Sequence, residues 1–171
     1  MQELQPFIRE VKDFPKPGVV FKDITPLLAD HHAREKALQA LISMIGDAQI
    51  DVVVGVESRG FFFGTLLAAA LNCSFVPVRK PGKLPFDTLT QVYDLEYGQD
   101  SLQIHKDGIS KGDKVLIHDD VLATGGTAKA VCNLVEALGA EVVQCNFLME
   151  LSFLNGRDKL KGFHTRAVVQ Y

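Results

Sequence analysis

The sequence predicts an α/β fold: a mainly parallel sheet flanked by helices, with an N-terminal arm closing one end and a β-hairpin hood. Three observations predict it. Short β-branched runs, DVVVGV at 51–56, VLIH at 115–118 and EVVQCNFLM at 141–149, are of the continuously apolar kind that a parallel sheet buries on both faces. Stretches with apolar residues at helical spacing separate these runs. Only residues 88–106 alternate in the manner of an antiparallel pair. At 171 residues the chain is expected to form one domain with a sizeable core.

Taken in order, residues 4–11 (LQPFIREV) suggest a short helix, after which Phe14, Pro15, Pro17 and Gly18 impose an extended or turning path. The segment VVFKDITPLL at 19–28 reads by composition as a packed arm. Residues 30–46 suggest a helix, with Asp30 as N-cap, Leu38, Leu41, Ile42 and Ile45 on one stripe and Gly46 at its end. The 51–56 strand leads through Glu57, Ser58, Arg59 and Gly60 into a helix ending near Leu71. Arg59 therefore stands at a strand's carboxyl end, the edge where open α/β sheets bind ligands. It suits a pyrophosphate by bidentate, charge-assisted bonds, or else forms a surface salt bridge with a neighbour such as Glu57.

A strand at 74–78 runs into Arg79, Lys80, Pro81, Gly82, Lys83, Leu84 and Pro85. The prolines and glycine exclude a helix, leaving a basic loop able to close on a polyanion. Residues 88–97 and 101–106 read as a hairpin turning near Gly98. After the 115–118 run, a helix is expected at 127–138, with Ala130, Val131, Leu134, Val135 and Leu138 on one face. The 141–149 strand follows, then a helical turn at 154–160 broken by Asn155-Gly156, and a closing strand at 165–171.

The chemistry concentrates in VLIHDDVLATGGT, residues 115–127. A strand passes through adjacent carboxylates, Asp119 and Asp120, into the small-residue loop Ala123, Thr124, Gly125, Gly126 and Thr127. Gly125 and Gly126 let an anion approach backbone N–H groups, Thr124 and Thr127 add hydroxyls, and the helix that follows directs its positive end at the same place. A phosphate would fit there. Two aspartates beside it repel the ligand unless they hold sugar hydroxyls or face a divalent cation. The same residues could be only a tight strand-to-helix connection with an aspartate cap. The stretch is neither a P-loop nor a dinucleotide fingerprint.

With 47% apolar and 23% charged residues and a net charge of −3, the chain is neither disordered nor shaped for nucleic acid. Cys73, Cys132 and Cys145 are scattered in apolar surroundings and suit buried free thiols in a reducing compartment. No leader pattern or membrane span is evident, so a cytoplasmic protein without membrane partners is expected.

Residues 115–127 resemble the phosphoribosyl pyrophosphate (PRPP) motif of type I phosphoribosyltransferases, with ATGGT in the form seen in members that act on adenine. PGVVFKDITPLL (17–28), ESRGFFFG (57–64), VRKPGKLP (78–85) and YDLEYG (93–98) resemble the same members in the same order. His118 departs from the pattern, where an apolar residue is usual, and Lys22 stands where arginine is frequent.

The resemblance implies transfer of 5-phosphoribosyl from PRPP to adenine, giving AMP and pyrophosphate in purine salvage, with Mg²⁺ and a homodimer. It implies roles by position. Ala123 to Thr127 hold the 5′-phosphate, while Asp119 and Asp120 hold the ribose hydroxyls and the metal. Arg59, Arg79, Lys80 and Lys83 bind pyrophosphate, some of them across a dimer interface. Val20, Phe21, Lys22 and Leu151 meet the base, and Glu96 is the acid/base group. Residues 1–30 form the arm over the base pocket and 80–106 the flexible hood. A non-catalytic PRPP-binding regulator, or a transferase for another base, remains the alternative.

Overall fold

The computed structural model describes residues 2–94 and 98–171. A 3₁₀ turn, Gln2–Phe7, precedes strand β1 (Arg9–Lys12), which pairs antiparallel with β2 (Val20–Asp23). Helices α1 (Thr25–Ala29) and α2 (His31–Ser43) follow, then β3 (Val52–Val56), α3 (Gly60–Leu71) and β4 (Ser74–Val78). The hairpin strands β5 (Thr88–Asp94) and β6 (Gln99–His105) come next. Strand β7 (Lys114–Leu122), helix α4 (Gly126–Ala137), strand β8 (Glu141–Glu150), two 3₁₀ turns (Ser152–Leu154 and Gly156–Leu160) and β9 (Thr165–Gln170) complete the chain.

The sheet is parallel throughout, in the order β4-β3-β7-β8-β9. Its strands explain their own composition. All five residues of β3 are buried, with Val52, Val54 and Val56 packing to one face and Val53 to the other. Removing each such side chain from water contributes about 1.5–3 kcal/mol. One face is covered by α2 and α3 through Ala37, Leu41, Phe63 and Leu67. The other is covered by Val131, Leu134 and Val135 of α4, together with Leu102 and Ile104 of β6.

One local finding corrects the sequence reading. Residues 4–11 are not one helix: the 3₁₀ turn that contains Pro6 ends at Phe7, and the backbone of 9–12 finds a hydrogen-bonding partner in 20–23. Leu4 and Ile8 still anchor the segment in the core. The hairpin expected as the hood joins the sheet at its base: Arg79 and Gln103 exchange backbone hydrogen bonds of 2.9 and 2.7 Å, and Leu102 and Ile104 are fully buried. Asp30 caps α2 as expected, accepting from the Ala33 N–H at 2.8 Å.

Candidate active site

Strand β7 outlasts its apolar run and carries both aspartates into the carboxyl end of the sheet. Gly60, at the start of α3, lets that helix abut β7: a Cβ there would lie 2.8 Å from the His118 carbonyl oxygen and 3.0 Å from Asp119 Oδ1. This close approach brings Arg59 beside the acidic pair. Its Nε donates to Asp120 Oδ2 at 2.6 Å, so Arg59 pairs with Asp120 and not with Glu57, its neighbour in sequence. Asp120 is buried, and its N–H donates to Asp119 Oδ1 at 2.9 Å. Burial raises the pKa of both carboxyls; repulsion from Asp120 adds to the shift of Asp119, which goes well above the usual range, while Arg59 opposes the shift of Asp120. Two oxygen-bearing acids with too little positive charge around them suit a hard divalent cation, which would complete its coordination with substrate and water oxygens.

The aspartates border two adjoining clefts. One, of about 270 Å³, is walled by Glu57, Ser58, Arg59, Lys80, Tyr93, Asp119, Asp120 and Thr127. The second, of about 140 Å³, is walled by Asp119, Val121, Ala123, Thr124, Gly125 and Thr127. Asp119, Val121 and Thr127 belong to both, making one groove from the acidic pair to the small-residue loop. Gly125 caps α4 with φ +77°, a conformation that favours glycine, and Gly126 is the first helical residue.

The basic loop is gathered around Glu57. The Glu57 carboxylate accepts from Arg79 Nη2 at 3.2 Å, from the Lys80 N–H at 2.8 Å and from Lys83 Nζ. Burial pushes its pKa up, but these three donors outweigh it and bring the value down to about 2. Lys80 turns the other way, to Asp100 of the hood, with Tyr93 Oη 3.5 Å away. Burial opposes the Lys80 charge, yet Asp100 and Tyr93 raise its pKa; the Lys80 hydrogen bond in turn lowers that of Asp100.

Of the residues expected at the base, Val20, Phe21, Lys22 and Leu151 stand outside the walls of both clefts. Phe21 nevertheless reaches the site, with its ring centroid 5.0 Å from Arg59 Cζ. Val20 is exposed. The Lys22 side chain points to Glu10 and covers the Tyr171 ring at 3.7 Å, which leaves only its backbone for the expected role. Leu151 is tied to the acidic strand, its N–H donating to the Leu122 carbonyl at 2.9 Å. Glu96 lies outside the described residues.

Three site residues escaped the sequence reading: Glu57 as organiser of the basic loop, and Tyr93 and Asp100 as its contacts in the hood. Tyr93 and Glu57 lie within stretches already singled out. Tyr93 and Asp100 are cross-strand partners in the hairpin, in a register that a turn centred on Gly98 would not give. Tyr93 also receives a 3.4 Å hydrogen bond from Thr127 Oγ1, joining the hood to the loop.

A parallel sheet with an acidic pair, a glycine loop at a helix start and a cation cluster at its carboxyl edge defines a phosphoribosyltransferase. Residues 27–161 match the phosphoribosyl transferase domain family, and the chain belongs to it. Within that family it groups with the adenine phosphoribosyltransferases. The enzyme of that name from Flavobacterium johnsoniae is 60% identical over 169 residues, covering 99% of each chain. The crystal structure of adenine phosphoribosyltransferase from Thermoanaerobacter pseudethanolicus superimposes with a TM-score of 0.97 at 49% identity, over 99% of each chain. That from Saccharomyces cerevisiae, complexed with an imino-altritol bisphosphate and adenine, gives 0.92 at 42%, over 98% of this chain and 97% of that one.

Proposed function

We propose that this chain transfers the 5-phosphoribosyl group of PRPP to adenine, releasing AMP and pyrophosphate. The observation that carries the reading is the continuous groove: a phosphate-sized loop at one end, cations at the other, and an acidic pair between them.

The backbone N–H groups and hydroxyls of Ala123 to Thr127 hold the 5′-phosphate at the start of α4. Asp119 and Asp120 accept from the ribose hydroxyls. Arg59, Arg79, Lys80 and Lys83 take the pyrophosphate, exchanging their present carboxylate partners for phosphate oxygens. Displacement at the anomeric carbon proceeds with oxocarbenium character, as in glycosyl transfers generally, and the aspartates stabilise the positive sugar. Glu96 relieves the purine of its proton as N9 becomes the nucleophile. Asp119 and Asp120, directly or through water, would hold a Mg²⁺ ion brought with PRPP, which would offset the charge of the leaving group.

Adenine enters between the 20–22 arm and Leu151. Backbone groups of Val20 and Lys22 meet the base edge, and Phe21 packs near the ring. A backbone acceptor there pairs with the adenine amino group and faces a lone pair on hypoxanthine, a mismatch able to give discrimination of about 10⁴. No helix among the described residues is long and apolar enough to cross a membrane; the cytoplasm is the proposed site of action. The exposed Phe62 and Leu66 are consistent with a homodimer.

A panel of purine and pyrimidine bases with PRPP, followed for nucleotide and pyrophosphate together, tests the reading. AMP formation from adenine alone is expected. Comparable turnover of hypoxanthine would overturn the base assignment, and binding of PRPP without turnover of any base would make the chain a regulator.

A further inference from the structure

The phosphate loop rests against a segment from the far end of the chain. Gly125 and Gly156 meet backbone to backbone: a Cβ at Gly125 would lie 2.2 Å from the Gly156 carbonyl oxygen, and one at Gly156 would lie 2.2 Å from the Ala123 carbonyl oxygen and 3.1 Å from Gly125 N. Neither position tolerates a side chain without moving the loop. Gly156 opens the 3₁₀ turn Gly156–Leu160, whose far end is fixed by Leu160, buried in the cluster that contains Ala128 and Val131 of α4.

The near end is held by its second residue. Arg157 Nε donates to both oxygens of Glu150 at 2.8 and 2.9 Å, Nη2 donates to Oε2 at 2.7 Å, and Nη1 donates to the Thr165 carbonyl at 2.9 Å. Glu150 is the buried last residue of β8, so the guanidinium fork ties the turn to the rigid end of the sheet. A fork of this kind fixes direction as well as distance, which a single ammonium contact does not.

We propose that the Glu150–Arg157 ion pair, acting through Gly156, is the positioning element of the phosphate loop. It sets where the N–H groups of Ala123 to Thr127 stand without touching the substrate. The inference rests on the phosphoribosyl-transfer reading and adds to it residues that lie outside both clefts.

The test compares Arg157→Met, Arg157→Lys and Gly156→Ala with the wild type, measuring steady-state constants, thermal midpoint and calorimetric binding of ribose 5-phosphate. Arg157→Met and Gly156→Ala are expected to raise KM for PRPP and Kd for ribose 5-phosphate about tenfold, with kcat within about threefold and KM for adenine within about twofold. Arg157→Lys, which keeps the charge and loses the fork, is expected to fall between wild type and Arg157→Met. A lowered thermal midpoint with unchanged KM for PRPP would reduce the pair to a structural role and overturn the proposal. Should Arg157→Met or Gly156→Ala not fold, Arg157→Lys decides alone, and unchanged phosphate affinity in it overturns the proposal. Wild-type protein that binds ribose 5-phosphate but forms no AMP would fail the activity reading instead, leaving the binding comparison to judge the positioning element.

Discussion

Arg59 Nε stands 2.6 Å from Asp120 Oδ2, joining residues 61 apart in sequence at the carboxyl edge of adjacent strands. The contact sets a counter-charge against Asp120 and leaves Asp119 the more strongly shifted of the two carboxyls. The roles proposed for the pair at the ribose are tested by removing both charges.

Replacing both, Asp119→Asn with Asp120→Asn, removes the cation-attracting charge while keeping volume and one acceptor oxygen on each side chain. PRPP affinity is expected to fall at least tenfold and to lose its dependence on magnesium. A titration of PRPP at several magnesium concentrations checks this; unchanged affinity at every concentration would remove the pair from the ribose site.

Glu96→Gln keeps the shape of the side chain and removes its capacity to take a proton. Turnover is expected to drop by about 10²–10⁴, with PRPP binding nearly intact. Rapid-quench measurement of AMP formation separates the chemical step from product release. An undiminished chemical rate would exclude Glu96 as the base.

Asp100→Asn frees Lys80 from its partner in the hood. The cation then no longer has to exchange one carboxylate for the incoming phosphate, and inhibition by pyrophosphate is expected to strengthen about threefold at low salt. Weaker inhibition would mean that Asp100 places Lys80 productively and does not compete for it.

His118 provides a pH prediction remote from the chemistry. Its Nδ1 lies 2.7 Å from Asn146 Oδ1, while Asn146 Nδ2 donates to the Leu41 carbonyl. The amide oxygen is thus the acceptor and Nδ1 carries the proton. Nε2 is buried without a partner, and burial pushes the pKa down to about 4 from 6.5, against the opposing effect of Asn146. Because the folded pKa lies below the unfolded one, the contribution is complete above pH 6.5 and is lost as pH falls through about 4. It amounts to something on the order of 3 kcal/mol. Denaturant unfolding at pH 7 and pH 4.5 should show a shallower acid loss in His118→Gln than in wild type; equal slopes would contradict this.

What was legible in the sequence was local. The buried runs of β3, β7 and β8 identify themselves by β-branched composition, Asp30 by its place before a helical stripe, and the turn from β7 into α4 by its glycines after a strand. The misread 4–11 segment failed because its pairing partner begins at Val20, and helical spacing carries no trace of it. The ion pairs were illegible for the same reason: Arg59 is two residues from Glu57 yet bonds to Asp120, and Glu57 collects cations from beyond α3 and β4. His118 looked like a blemish in an apolar strand. Its tolerance depends on Asn146, 28 residues further on.

The pairing of four cations, of which Arg59 and Lys80 line the groove, with carboxylates bears on how fast the protein meets a polyanion. Arg59, Arg79, Lys80 and Lys83 are set among Glu57, Asp100, Asp119 and Asp120, so the resting groove projects little positive field into solvent. A bare basic cleft attracts every polyanion within about a Debye length, roughly 8 Å at physiological salt, and its association rates collapse as salt rises. Encounter with a polyanion is then expected to depend on diffusion and local fit more than on long-range steering. Abundant polyphosphates and RNA gain no head start, and the association rate for PRPP should be nearly flat across ionic strength.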